Sequence, residues 1–251
     1  MNFAPIIRAF AIPREALVEQ RVPKKLLMEQ GAPTTADKRQ IQDGIEEIFW
    51  VAALKPNNIG VPAFRDGVRE YLEIAVLTVV LRAKAKLQRL TELIHRAIPY
   101  PVVLVTAHSE TANLSLAHKR WSQGEAGKVV IEGVRQVALS PDAPTTEEAA
   151  FLTSLAVSRL PAADLFTMYE GLLARVISLE AARITGTFRA PESADGGVAL
   201  RDGLDRHAQL KRDLAFLRAR AQKEKQLNRR VELNLEIQRL ETQLKEIIPN
   251  L

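Results

Sequence analysis

Tyr71-Leu72-Glu73-Ile74-Ala75-Val76-Leu77-Thr78-Val79-Val80-Leu81 is the stretch that decides the fold. From Tyr71 to Leu81 its β-branched and Leu content is continuous. That is the pattern of a central strand covered on both faces. Such a strand needs partners, and the flanking sequence supplies them. Upstream, Ile48–Leu54 contains Phe49, Trp50 and Val51 and stops at Lys55-Pro56-Asn57-Asn58, strand formers ended by turn residues. Thr34 or Thr35 is placed to cap a helix running from Ala36 towards Glu46. Downstream, Lys84–Ala97 places Leu87, Leu90, Leu93, Ile94 and Ala97 at helical spacing, and Ile98-Pro99-Tyr100-Pro101 cannot continue that helix. Val102–Thr106 reads as another apolar strand, His108–Thr111 as a turn and Asn113–His118 as an alternating return strand. Val129–Val137 is the last strand candidate. This order predicts an α+β protein built on a mixed β-sheet that carries helices.

Outside that centre the pattern changes twice. Met1–Pro33 is irregular, interrupted by Pro5, Pro13, Pro23 and Pro33, and Val22-Pro23-Lys24-Lys25-Leu26-Leu27 is a basic entry into a helical turn. Beyond the linker-like Pro141–Thr146, helical spacing takes over in Glu147–Leu160 and Ala162–Ile184. The second of these carries an inner stripe of Leu165, Tyr169, Leu172, Leu173, Val176 and Leu179. The predicted division is a sheet domain at 1–140, a helical pair packed on it at 141–185, a flexible linker at 186–199 and one long basic helix at 200–251.

The terminal segment holds two heptad-like seams. Leu210, Leu214, Leu217 and Ala221 form the first; Leu233, Ile237, Leu240, Leu244 and Ile247 form the second. They do not share a frame, because Glu224 and Asn228 fall where the first seam expects apolar residues. Read as one continuous coiled-coil-like helix, the segment extends about 70 Å, and its apolar stripe needs a cover from the chain itself, a second copy or a partner. Lys211, Arg212, Arg218, Arg220, Lys223, Lys225, Arg229 and Arg230 crowd it, with only Asp213 and Glu224 among them. Arg218, Arg220, Lys223, Lys225, Arg229 and Arg230 are therefore the candidate nucleic-acid-binding residues. Two readings stand: a solvated helical face, or a stripe that tracks phosphates and releases their counterions.

Composition narrows the rest. The net charge is +5, and this terminal cluster accounts for it, so the basic balance is concentrated rather than spread. There is no cysteine, which excludes disulfides, thiolate metal sites and cysteine nucleophiles and fits a cytoplasmic protein. Ile74–Leu81, the longest apolar run, is far shorter than the roughly 20 residues of a membrane span. No glycine-rich phosphate loop and no Gly-x-Ser-x-Gly motif is present, and His95, His108, His118 and His207 lack ligand spacing. No catalytic, metal or cofactor site is expected, although His108 and His118 flank a predicted hairpin and face one another if it pairs that way. Lys119-Arg120-Trp121 is the one run in the globular part that joins cations to an aromatic able to stack on a base. A metal-dependent nuclease of restriction-endonuclease-like fold is the enzymatic alternative, with Glu46, Glu47, Glu70 and Glu73 as its available carboxylates. Glu73 is followed by Ile74-Ala75, so the lysine of a Glu-x-Lys pair is missing.

Several segments together resemble a bacterial family, the domain of unknown function 4391. They are Val22-Pro23-Lys24-Lys25, Ile45–Leu54 with Trp50, Ala97-Ile98-Pro99-Tyr100-Pro101, Leu114–Arg120 and Lys223-Glu224-Lys225-Gln226-Leu227-Asn228-Arg229-Arg230-Val231-Glu232-Leu233-Asn234. The resemblance implies a protein encoded near SNF2-type helicases and DNA methyltransferases, as in restriction or anti-phage (antiviral defence) loci, and brings no catalytic residue with it. The expected role is a non-catalytic accessory subunit that binds a helicase or methyltransferase partner, DNA, or both. Self-association through the terminal helix and a purely structural coiled-coil adaptor remain open beside it.

Overall fold

The structure is a computed structural model that describes residues 3–125, 128–190 and 194–251. Helix α1 (Ala4–Ala9) leads through a 3-10 turn into strand β1 (Leu17–Arg21). Helices α2 (Lys24–Gln30) and α3 (Thr35–Gly44) precede β2 (Ile45–Leu54). A single turn, α4 (Pro56–Ile59), and the two-residue strands β3 (Phe64–Arg65) and β4 (Glu70–Tyr71) come before β5 (Ile74–Leu81). Helix α5 (Leu87–Ala97) then leads to β6 (Val102–His108), β7 (Thr111–Trp121) and β8 (Val129–Leu139). Helices α6 (Thr146–Ser154), α7 (Leu165–Thr185), α8 (Ala194–Lys223) and α9 (Leu227–Ile247) complete the chain.

The protein is α+β, and six strands form one mixed sheet in the order β1-β2-β5-β6-β7-β8. β5 lies inside it, antiparallel to β2 and parallel to β6. The parallel pair requires a crossover, which α5 supplies. Ala75, Leu77, Val79 and Leu81 pack on Leu90, Leu93, Ile94 and Ala97 of α5, while Ile74 and Val76, on alternate positions, are also fully buried. Burying a Leu, Ile or Val side chain contributes about 1.5–3 kcal/mol, so this strand anchors the core from both faces. On the other face the buried Tyr169 of α7 donates its hydroxyl to Val102 O and accepts from Ala117 N, tying α7 to β6 and β7.

Thr34 caps α3 by accepting from Asp37 N, and α5 ends before Pro99. The central strand begins at Ile74 rather than Tyr71, because Glu73 turns aside to meet Lys55 Nζ at 3.0 Å and Tyr71 joins the small β3–β4 pair. β1 was not visible in the sequence, since four of its five residues are exposed and no alternation marks it. His108 pairs with Thr111 at the hairpin turn and His118 with Glu132 of β8, so the two histidines do not face one another.

The chain divides into two compact units, Met1–Val176 and Ile177–Leu251. Of the stretch expected to be a linker, residues 194–199 already belong to α8, and 191–193 lie outside the described residues. The expected single terminal helix is broken: α8 stops at Lys223, α9 starts at Leu227, and the three residues between are not helical.

Candidate nucleic-acid interface

No glycine or proline stands between Lys223 and Leu227, so composition does not force the break. The two apolar seams do. Leu210, Leu214 and Leu217 of α8 are buried, and Leu233, Ile237, Leu240, Leu244 and Ile247 of α9 are partly buried, a stripe on each helix that needs a cover. Folding the chain back pairs the stripes, which one straight helix leaves in water. The direction of the pairing is fixed at two levels: Arg218 Nη2 reaches Glu241 Oε1 at 2.7 Å, and Leu251 lies against Gly203. Locally, Glu224 Oε1 accepts from Gln226 N at 2.8 Å and holds the reversal. The register shift between the seams is thus an antiparallel helical hairpin.

This reversal gathers the predicted cations. Arg218, Arg220 and Lys223 close α8, Lys225 lies in the turn, and Arg229 and Arg230 open α9; all six are exposed. One carboxylate, Glu224, falls within the same span, and Glu232 follows two residues beyond it. Arg218 is engaged by Glu241, and Glu224 by the turn backbone. Arg220 and Lys223 sit where the α8 C-terminal carbonyls are negative, which suits cations. The first turn of α9 carries no acid, and Gln226 gives no side-chain cap, so that end keeps its positive potential. The result is a positive tip built from two chain segments, able to hold several anionic groups at once.

The sheet unit treats charge differently. Lys119 is 2% exposed and donates from Nζ to His95 O and Ile98 O, the carbonyls left open where α5 ends. Burial pulls its ammonium down to about 7. His95, wholly buried, is pulled to about 3 by burial and then by the charge of Lys119, and its Nε2 lies 3.1 Å from Ser115 Oγ. His118 Nδ1 is 2.6 Å from the Tyr71 hydroxyl and its Nε2 is 2.7 Å from Glu170 Oε1, stitching β4, β7 and α7 together. Burial raises the Tyr71 and Tyr169 phenols above their ordinary range. Of the run Lys119-Arg120-Trp121, the lysine is therefore a structural cap, and Arg120 pairs with Glu132.

The carboxylates available to a nuclease are dispersed: Glu47 meets Arg21, Glu70 meets Arg65 and Glu73 meets Lys55. Among the described residues no three His, Cys, Asp or Glu side chains converge to hold a metal ion. No helix among them is long and apolar enough to cross a membrane.

The molecule is thus an α+β protein whose helical hairpin carries six exposed cations, Arg218, Arg220, Lys223, Lys225, Arg229 and Arg230, about its turn. A family model described as a domain of unknown function, DUF4391, matches residues 10–244, and the chain belongs to that family. No curated protein and no solved structure matches the chain. Within the sheet unit, three of the segments that carry the family likeness meet at one apolar groove of 540 Å³. Its walls include Val22 and Pro23, Trp50, and the Ile98-Pro99-Tyr100 run.

Proposed function

We propose that this protein is a non-catalytic nucleic-acid-binding accessory subunit, with the hairpin tip as its contact to the phosphate backbone. The observation that carries the reading is the reversal itself, which brings Arg220, Lys223, Lys225, Arg229 and Arg230 from two helices onto one exposed end. Fold stability does not call for such a gathering, since like charges at close range repel. An anionic polymer relieves that repulsion and releases counterions as it binds. The family likeness sets the reading in a restriction or anti-phage system of the helicase–methyltransferase type, where the sheet unit docks the protein partner.

The test is the joint replacement of Lys223, Lys225, Arg229 and Arg230 by Gln, with binding to a DNA duplex measured across a salt series. The loss expected at low salt is at least about tenfold. The slope of log affinity against log salt should flatten by about 3.6 if each of the four cations meets one phosphate of the duplex. Binding and slope both unchanged would reject the assignment.

A second reading, a protein-docking adaptor, is favoured by one feature. Leu227, Val231 and Leu235 of α9 are 65%, 50% and 54% exposed and follow one another at helical spacing, away from the seam that faces α8. Co-purification from cells at low and high salt separates the two, because an apolar docking contact survives salt that strips nucleic acid.

A further inference from the structure

Phe216 of α8 is 63% exposed, in a chain whose aromatic content is only 5%. It does not belong to the hairpin seam. At 100° per residue it lies about 130° round the helix from the line of Leu210, Leu214, Leu217 and Ala221. Its neighbours four residues to either side on that outer face are cations, while Asp213 and Ala219 lie three residues to either side. Arg212 precedes it by four residues, Arg220 follows by four and Lys223 by seven, so the four side chains form one stripe. All are exposed. Arg220 already lies over the ring, its guanidinium carbon 5.6 Å from the centroid. Arg212 and Arg220 straddle the ring about 12 Å apart along the helix axis, one on each side of a flat apolar surface.

We infer that Phe216 is a base-stacking platform, and that the hairpin's ligand is single-stranded nucleic acid or a strand with unpaired bases rather than intact duplex. The inference rests on the phosphate-contact reading above and narrows its substrate class. A duplex presents phosphates to a basic helix but keeps its base faces inside the stack, where an exposed phenyl ring finds no partner. An unpaired strand offers both, and cations flanking a ring match its alternation of phosphate and base. Stacking tolerates any base because every base has a π face, so the inferred contact carries little sequence preference.

The experiment uses the full chain and fluorescence anisotropy. One probe is a labelled thymidine homopolymer of about twelve nucleotides, within the usual site sizes for single-strand binders; the other is a duplex of the same length. Wild-type protein should favour the single strand. Phe216→Ala and Phe216→Leu should each weaken single-strand binding about tenfold without changing the salt slope, and should shift duplex binding less than twofold. Leu keeps the apolar bulk and removes only the π face; Phe216→Tyr restores that face and should bind as wild type. Single-strand binding by Phe216→Leu equal to wild type overturns the inference, as does equal or tighter binding of the duplex by wild type. If the four-fold Gln variant loses binding while Phe216→Leu does not, stacking fails and phosphate contact stands. The reverse pattern removes phosphate contact and keeps stacking, and a wild-type chain that binds neither probe removes both.

Discussion

In the sheet unit, Lys119 and Arg175 turn their donors inward onto backbone carbonyls, whereas in the hairpin Lys223, Lys225, Arg229 and Arg230 face water. Arg175 is 7% exposed and donates to Ser154 O at the end of α6, to Arg159 O and to Gly171 O of its own helix. Removing such a buried cation leaves orphaned carbonyls. The tip cations leave nothing orphaned when removed. The difference separates charge that the fold consumes from charge that it leaves over, and only the second kind points to a ligand.

The sharpest way to break this comparison is acid. The unfolded chain binds a proton on His95 near its ordinary 6.5, while the folded chain holds it off until about 3. Between those values the unfolded state carries more protons, so stability falls as pH falls, by up to about 5 kcal/mol for full transfer of that shift. Urea midpoints measured at pH 7, 5.5 and 4 on wild type and His95→Gln isolate the effect, and equal acid sensitivity of the two would remove it. Lys119 acts at the other end. Held at about 7 against 10.5 in the unfolded chain, it makes stability rise with pH between those values.

Next in size is Arg175→Ala, which should cost about 3 kcal/mol through the lost hydrogen bonds and the carbonyls left unmet. It should appear as a lowered Tm with hairpin binding unchanged below the transition. A loss under 1 kcal/mol would mean those carbonyls find water instead. The smallest effect belongs to the hairpin. Glu241→Gln cuts the Arg218 ion pair, whose side chains are 57% and 38% exposed, and should shift stability by less than about 1 kcal/mol. The same change frees Arg218 and should tighten nucleic-acid binding slightly; a shift in Tm of many degrees would place Glu241 among the fold's structural charges.

Much of the fold was legible because burial writes itself into the sequence. The run from Ile74, the Leu90–Leu93–Ile94–Ala97 face and the stop before Pro99 are all direct consequences of covered surface. β1 was hidden because an edge strand with four exposed residues carries no such mark. The hairpin was half visible. Its six cations were readable, and the mismatch at Glu224 and Asn228 was the trace of a reversal, but without Gly or Pro nothing local named it as a turn. Pairing between segments far apart in the chain decided it. Phe216 lies off the Leu seam, and the sequence signal that marks it is its i±4 spacing from Arg212 and Arg220. Trp121 drew the stacking expectation instead, yet its neighbour Lys119 is taken up by the end of α5.

Because the positive tip is assembled from two helices, it exists only while α8 and α9 lie together. Pulling them apart disperses the field, and holding them together concentrates mutual repulsion at the turn. Under the phosphate-contact reading proposed above, hairpin folding and binding of a polyanion would be thermodynamically linked: a ligand present at a hundred times its Kd would add about 2.7 kcal/mol to the folded form. In that reading the bound anion would serve as the counter-charge that holds the two helix ends together.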